Sequence, residues 1–160
     1  MAAQLKRLHA LSANPAEPLD NVTFSTRKDI EVDQLRQLYL ANDWSSGRIP
    51  TALHRALQNS HSVVSAWDEG MLIGVGNAIS DGFLVVYYPH LLVHPDYQGK
   101  GIGKQIMQKL QQAYEGLHMQ MLVSEADAIA FYEKCGFTRA SDTQPMWIYK
   151  GDDQTPKRND

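Results

Sequence analysis

Residues Val93 to Leu110 read VHPDYQGKGIGKQIMQKL, and this stretch decides which fold and which kind of site to expect. Glycine stands at positions 99, 101 and 103, and apolar residues then recur at the spacing of a helix. A chain that enters a helix this way leaves the first helical N–H groups unpaired, with the positive end of the helix dipole behind them. Because glycine places no Cβ in front of those groups, the stretch predicts an anion site that suits a pyrophosphate.

The spacing of these glycines narrows the phosphate ligands that the site would take. A P-loop needs four residues between its glycines and a Ser or Thr after its Lys, whereas three residues separate Gly99 from Gly103 and Gln105 follows Lys104. A dinucleotide fingerprint needs G-x-G-x-x-G within repeated strand-helix-strand units, and this chain has neither. Nucleotide hydrolysis is therefore not expected, and a turn that only tightens strand-to-helix packing stays open as the alternative.

The composition predicts one globular domain. The chain has 160 residues, of which 43% are hydrophobic and 21% charged, and we expect the domain to span residues 21–150 between a flexible leader (1–20) and a disordered polar tail (151–160). A net charge of −3 without a basic stripe argues against a nucleic-acid partner. The single cysteine and the lack of metal-like Cys/His spacing predict no disulfide, no metal and a cytoplasmic setting. No segment approaches the roughly 20 apolar residues of a membrane span, so no membrane partner is expected.

Hydrophobic periodicity predicts an α+β fold, with a mostly antiparallel sheet and helices packed over it. Strands are predicted over residues 21–27, three times within 62–88, over 117–123, and in two short last segments, FTRA (137–140) and PMWIYK (145–150). Helices are predicted over residues 30–41, 50–58 and 101–116, and from a capping-box-like Ser124 to a terminating Gly136. Pro89 cannot donate a ladder hydrogen bond, so the strand that holds it must be bulged or bent near its middle.

Two motifs resemble those of the GNAT superfamily of acyl-coenzyme A N-acyltransferases. Residues 98–103, QGKGIG, match the family pattern Q/R-x-x-G-x-G/A, and residues 128–137, AIAFYEKCGF, resemble its second pattern, A-x-x-F-Y-x-x-x-G-F. The two motifs stand in the family order and cover residues 91–137. A weaker similarity, in VDQLRQLY and MWIYK, points to a bacterial and plastid subgroup linked to arylalkylamines such as serotonin and to protein lysines.

The resemblance implies an acetyl-CoA-dependent enzyme whose central sheet has roughly six to seven strands, splayed at the cofactor strand, with about four helices. In the family, loop amides hold the coenzyme A pyrophosphate, and the strand before the loop pairs with the pantetheine arm. Carried over to this sequence, the coenzyme-binding residues are Leu91, Leu92, Val93, Gln98, Gly99, Lys100, Gly101, Ile102, Gly103, Lys104, Phe131, Tyr132 and Lys134. Tyr132 also matches the family tyrosine that acts as the general acid, the alternative being a half-buried core tyrosine.

The group that takes the proton from the amine is left open by the sequence. An amine with a pKa near about 10 arrives protonated, so a side chain or a water must accept its proton. The candidates are His90, His94, Asp81, Glu125 and water. His90 and His94 share one face of the cofactor strand by alternation, and His90 is the preferred residue, as part of a water relay. Glu125 stands where many family members carry an asparagine, which is a departure from the family pattern.

The sequence therefore predicts an N-acetyltransferase in which a primary amine attacks the thioester directly in a ternary complex. The acceptor is expected to be an arylalkylamine, a polyamine or a protein lysine. Trp44 lies in a region that borders the acceptor site in this family. Cys135 is expected to be a packing residue and not a covalent nucleophile. Two alternatives stay open: a coenzyme A binding or sensing module without turnover, and an interaction protein. The interaction protein would pair through its last strands, and a homodimer is a further open alternative.

Overall fold

The computed structural model describes residues 21–150, so the predicted leader and tail lie outside the described residues. The strands are β1 (Thr23–Ser25), β2 (Ser62–Asp68), β3 (Met71–Ser80), β4 (Val85–Val93) and β5 (Met119–Met121). The α-helices are α1 (Val32–Ala41), α2 (Pro50–Asn59), α3 (Ile102–Gln112) and α4 (Ile129–Lys134). The predicted mixed class is confirmed, since strands and helices alternate irregularly along the chain.

Within residues 21–150 the five strands form one sheet in chain order. Pairing is antiparallel from β1 through β4, as predicted, and parallel between β4 and β5. The parallel pair requires a crossover, which α3 provides. Helices α1 and α2 cover one face of the sheet and α3 covers the other, so the central strands are buried on both sides.

Helix α3 lies unusually close to β3 because two glycines face it. A Cβ atom on Gly76 would come within 2.8 Å of Ile106, and one on Gly74 within 2.9 Å of the same side chain. The apolar face of α3 consists of Ile102, Ile106, Met107 and Leu110, all at most 1% exposed. The close contact sets the position of the helix, and with it the position of the glycine-rich turn at its N-terminus.

The predicted irregularity at Pro89 is confirmed as an extra residue in β4. Asn77 pairs with His90 and Ile79 pairs with Tyr87, so three steps along β4 oppose two steps along β3. Pairing with β5 covers only Val85–Tyr87 and stops where this bulge begins. From Tyr88 to Val93, β4 has β3 on one side and no described strand on the other, which opens a gap between β4 and β5.

Three predicted elements differ in the structure: the two last strands and the start of the last helix. The sheet has five strands among the described residues, not six to seven, because 137–140 and 145–150 form no ladder with a neighbour. An alternating pattern of apolar and polar residues forms a strand only where the edge of a sheet is there to pair with it. Here the apolar side chains of residues 146–149 stay exposed. The last helix begins at Ile129 and not at Ser124, because the Ser124 hydroxyl bonds the Glu125 carbonyl and caps no helix.

Candidate active site

The turn before α3 has the geometry that its glycines predict. Gly99 and Gly101 have φ angles of 78° and 83°, in the left-handed region, and Gly101 is the residue that caps α3. The first hydrogen bond of the helix runs from the Gln105 N–H to the Gly101 carbonyl, so the amides of residues 102–104 precede it. A Cβ on Gly99 or Gly101 would meet no atom within 4 Å, which leaves open space in front of the turn.

Lysine side chains and an aromatic ring surround this turn. The Lys100 ammonium lies 5.1 Å from the centre of the Tyr97 ring, in a cation–π arrangement at the rim. Gly103 differs from the other two glycines, since its Cβ position lies 3.5 Å from the Phe131 ring. Phe131 thus ties α4 to the first turn of α3. Lys104 and Lys134 are both exposed, and the charge of Lys104 acts on nearby Cys135 to lower its pKa, against a larger rise from burial.

A cavity of about 920 Å³ lies where β4 and β5 diverge. One wall is the bulged half of β4, including Pro89, His90 and Leu91, and the opposite wall is the chain that follows β5. The carboxylates that line it are Glu125 and Asp127. Its aromatic lining consists of Trp44, Tyr87, Tyr88, Tyr132, Trp147 and Tyr149. The cavity is therefore lined by aromatic rings and by charged side chains of both signs, since Arg48 and Lys150 line it together with the two carboxylates. It suits a polar or charged group attached to an apolar body.

Tyr132 lies on the wall of this cavity, on α4. Burial raises the pKa of its hydroxyl to about 12, with smaller contributions from Cys135 and Glu125. Its ring meets the Phe131 and Phe137 rings edge to face, at centroid distances of 5.0 and 6.1 Å. The hydroxyl is therefore protonated at neutral pH and is held at the cavity by a rigid aromatic cluster, as a proton donor must be.

His90 reaches the same cavity from the opposite wall, held by two aromatic side chains. Its Nδ1 lies 2.8 Å from the hydroxyl oxygen of Tyr39, a residue of α1 with 0% exposure. The Trp44 ring packs edge to face against both, at centroid distances of 5.2 Å from His90 and 6.0 Å from Tyr39. These two rings fix the His90 imidazole between the helical layer and the cavity.

The structure separates the four side chains that the sequence offered as proton acceptors. His90 and Glu125 line the cavity. His94 instead accepts a hydrogen bond from the Asp96 N–H, in the turn after β4. Asp81 accepts from three backbone N–H groups of the loop between β3 and β4, which lowers the pKa of its carboxyl, so its role is to cap that loop.

Two features of the site escaped sequence reasoning. Tyr39 falls within the helix predicted over residues 30–41, and nothing in the spacing linked its hydroxyl to a residue 51 positions later. Tyr88 and Tyr149 were also missed as cavity residues, although the excess of tyrosine and tryptophan around Pro89 and in MWIYK was a usable signal. Leu91 lines the cavity, whereas the Leu92 side chain is buried beneath α1 and α2.

The fold and site define an acyltransferase of a known class. Residues 59–139 match the acetyltransferase (GNAT) domain, and the chain belongs to this family. An uncharacterised N-acetyltransferase, ycf52, of Pyropia yezoensis is 31% identical over 130 residues, covering 76% of this chain and 73% of that protein. A histone acetyltransferase, TAP1, of Glycine max is 28% identical over 136 residues, covering 77% of this chain and 58% of its own length.

Solved structures agree with this assignment. A GNAT-family acetyltransferase from Streptococcus pneumoniae TIGR4 superposes with a TM-score of 0.69 at 26% identity, over 81% of this chain and 98% of that one. The sequence-based identification of the family is confirmed, and the chain is an acyl-CoA N-acyltransferase by fold and descent. No helix within residues 21–150 has the length and apolar character needed to cross a membrane.

Proposed function

We propose that the protein transfers an acetyl group from acetyl-CoA to a primary amine, which attacks the thioester directly while both substrates are bound. The observation that carries this proposal is the joint placement of two features. The glycine turn at the N-terminus of α3 would receive a diphosphate. The cavity at the β4 bulge brings Tyr132 and His90 next to the edge of β4 that no described strand covers.

Coenzyme A fits the residues present. The space in front of Gly99 and Gly101, which a Cβ atom would enter without touching the protein, would receive the pyrophosphate, with amides of residues 102–104 donating to it. Lys100 and Lys104 would add charge around it, and Phe131 and Lys134 on α4 would flank it. Gln98 would brace the loop, since its Nε2 donates to the Val93 carbonyl and to Asn42 Oδ1. The edge of β4 from Leu91 to Val93 would pair with the pantetheine amides like an added strand. Acetyl-CoA supplies the activated acetyl group as a thioester.

Different groups at the cavity then carry out the two proton transfers, one to the departing sulfur and one from the amine. The amine nitrogen forms the new bond to the acetyl carbon as the C–S bond breaks, and the Tyr132 hydroxyl gives its proton to the departing sulfur. Because its pKa is about 12, the Tyr132 hydroxyl carries its proton at working pH, and the phenolate left after the transfer takes a proton back from water. The proton lost by the amine passes to water or to a side chain of the cavity, where His90 and Glu125 lie on opposite walls.

The cavity lining favours an arylalkylamine among the acceptor classes that the sequence suggests. Trp44 and Trp147 offer flat apolar surfaces for the aromatic body of such an acceptor. Glu125 and Asp127 can face its ammonium group, and Arg48 and Lys150 line the same cavity and offset part of their charge. A polyamine would use the carboxylates but not the rings. The named relatives differ in acceptor, since one is called a histone acetyltransferase and another an N-alpha-acetyltransferase, so their names favour no single acceptor.

A thiol-release assay tests this function. Purified protein is given acetyl-CoA with one of a panel of acceptors: arylalkylamines, polyamines, amino acids and lysine peptides. We expect release of thiol that depends on the acceptor and is fastest with an arylalkylamine. Coenzyme A binding without acceptor-dependent release would support the rival sensing module instead, and no binding at all would leave only an interaction protein.

Two further predictions stay attached to this proposal. A homodimer is supported by the exposed apolar run Met146–Tyr149 and by β5, which is the last strand of the described sheet. Sedimentation velocity at micromolar concentration tests it, with a single monomeric species as the contrary result. A cytoplasmic location stays a prediction from the cysteine content, and one relative, from Arabidopsis thaliana, is named as chloroplastic.

A further inference from the structure

We propose that the buried Tyr39 hydroxyl donates its proton to Nδ1 of His90, which fixes a neutral imidazole with its own proton on Nε2. In this state His90 is a hydrogen-bond donor at the cavity wall and does not accept the proton of the amine. The inference rests on the proposed function for its catalytic meaning, but the tautomer itself is a property of the protein alone. Tyr39 is then a positioning residue that acts through His90.

The first step of the argument is the isolation of the Tyr39 hydroxyl. Tyr39 is fully buried between α1 and the sheet, and the only hydrogen-bond partner of its hydroxyl among residues 21–150 is His90 Nδ1, at 2.8 Å. Burial raises the pKa of this phenol above its ordinary value, so the oxygen keeps its proton. A buried O–H group needs an acceptor, and within the described residues Nδ1 is the one it has.

The second step follows from the chemistry of imidazole. A nitrogen that accepts a hydrogen bond carries a lone pair and no proton, so the proton of a neutral ring sits on the other nitrogen. The opposite tautomer would leave the buried Tyr39 O–H without an acceptor. The penalty for such an unsatisfied group corresponds to a preference of roughly fivefold to a hundredfold.

The third step is that the ring cannot exchange its nitrogens by turning over. The Trp44 ring stands nearly perpendicular to the imidazole, at 88°, and the Tyr39 ring at 66°. His90 also sits directly after Pro89 in the bulge of β4, where backbone pairing with Asn77 resumes. These contacts hold Nδ1 toward α1 and assign the donor role to Nε2.

With His90 as a donor, the acceptor of the amine proton is a carboxylate or water. Glu125 is the cavity-lining candidate left from the sequence list, on the wall opposite β4. A neutral Nε2–H can polarise a carbonyl oxygen or orient a water, and a group that does either raises kcat without changing the affinity for coenzyme A.

Nitrogen NMR tests the tautomer without any substrate. Long-range proton–nitrogen correlation at pH 8 distinguishes a protonated from an unprotonated imidazole nitrogen, and His90→Gln identifies which signals belong to His90. We expect a protonated Nε2 and an unprotonated Nδ1 in the wild type, and a mixture of the two tautomers in Tyr39→Phe. His61, whose Nδ1 lies 2.8 Å from the Tyr114 hydroxyl, is the internal control and keeps its signals in Tyr39→Phe. A protonated Nδ1 in the wild type, or an unchanged tautomer in Tyr39→Phe, overturns the proposal.

Kinetics tests whether the donor role matters for transfer. In the Tyr39→Phe background, His90→Gln keeps a donor near the place of Nε2 but cannot take up a proton, whereas His90→Ala keeps neither. We expect the Gln variant to retain at least a tenth of the kcat of Tyr39→Phe and the Ala variant to lose roughly a hundredfold, with the KM for acetyl-CoA changed less than threefold in both. Equal losses would show that His90 works as a base. A wild type without acceptor-dependent thiol release would instead refute the proposed function, and the NMR result would still decide the tautomer.

Discussion

Replacing Gly101 by aspartate tests the diphosphate site most directly. Gly101 has a φ of 83°, and the space where its Cβ would lie is open. The new carboxylate would occupy the region assigned to the pyrophosphate. At about 5 Å, with an effective dielectric constant between about 20 and 80, one carboxylate repels one phosphate charge by about 1–3 kcal/mol. We therefore expect Gly101→Asp to weaken the affinity for coenzyme A by roughly tenfold to a hundredfold.

Backbone strain must be separated from this repulsion, and the chain offers a matched control. Gly116, beyond the C-terminal end of α3, has a φ of 85° and also has no atom within 4 Å of its Cβ position. Gly116→Asp therefore adds the same charge and a similar left-handed strain of about 1–2 kcal/mol, at the opposite end of α3 from the site. Both variants should lose about 2–8 °C in melting temperature. Only Gly101→Asp should lose affinity.

Isothermal titration calorimetry with coenzyme A measures the effect. Gly101→Asn, which has nearly the same shape without the charge, should bind at least fivefold more tightly than Gly101→Asp at low salt. The gap between them should shrink as salt rises from 0.1 to 1 M, since the screening length falls from about 10 to about 3 Å. Wild-type affinity in a folded Gly101→Asp protein would refute the assignment of the turn to a diphosphate.

Three other changes are expected to have distinct outcomes. Tyr132→Phe should lower kcat by roughly a hundredfold or more with little change in coenzyme affinity, because it removes the proton donor; stopped-flow thiol detection measures it, and an unchanged kcat contradicts the role. Because the pKa of Tyr132 is about 12, its ionisation should cause no fall in the wild-type rate between about pH 7 and 10. Gly76→Ala should destabilise the fold by about 1–3 kcal/mol in urea unfolding, because its Cβ would come within 2.8 Å of Ile106; a cost below about 0.5 kcal/mol would mean that α3 moves freely. Cys135→Ser should keep most of the activity, since burial raises the pKa of this thiol and it is not needed as a nucleophile; loss of transfer with intact folding would argue for a covalent step.

The parts of the fold that local chemistry specifies were predictable from the sequence. The glycines at 99 and 101 adopt the left-handed backbone that their spacing indicates, and Pro89 produces the bulge that its missing N–H requires. Each of these outcomes depends on one residue and its immediate neighbours. The same holds for the end of α4, where Gly136 has a φ of 92°.

The parts that depend on distant partners were not predictable in the same way. The strand pattern in 145–150 needs an edge to pair with, and no periodicity says whether one is present. The Tyr39–His90 contact joins residues from α1 and β4 that alternation and helical spacing place only on their own elements. Likewise, Asp81 and Glu125 look equivalent as carboxylates in the sequence, and only the folded chain puts one on a loop and the other on the cavity wall.

The extra residue in β4 has a consequence for how this strand can change. Before the extra residue, Val86 and Tyr88 face α3. In a regular strand Leu92, an even number of positions further on, would face α3 as well, but it faces α1 and α2. The insertion reverses the parity of the strand and so lets one strand supply side chains to two opposite compartments. Removing one residue between Tyr87 and His90 would abolish the bulge but leave His90 opposite Asn77, on the side of α1 and α2, so the bulge shapes the gap beside β5 and does not set the direction of the His90 side chain.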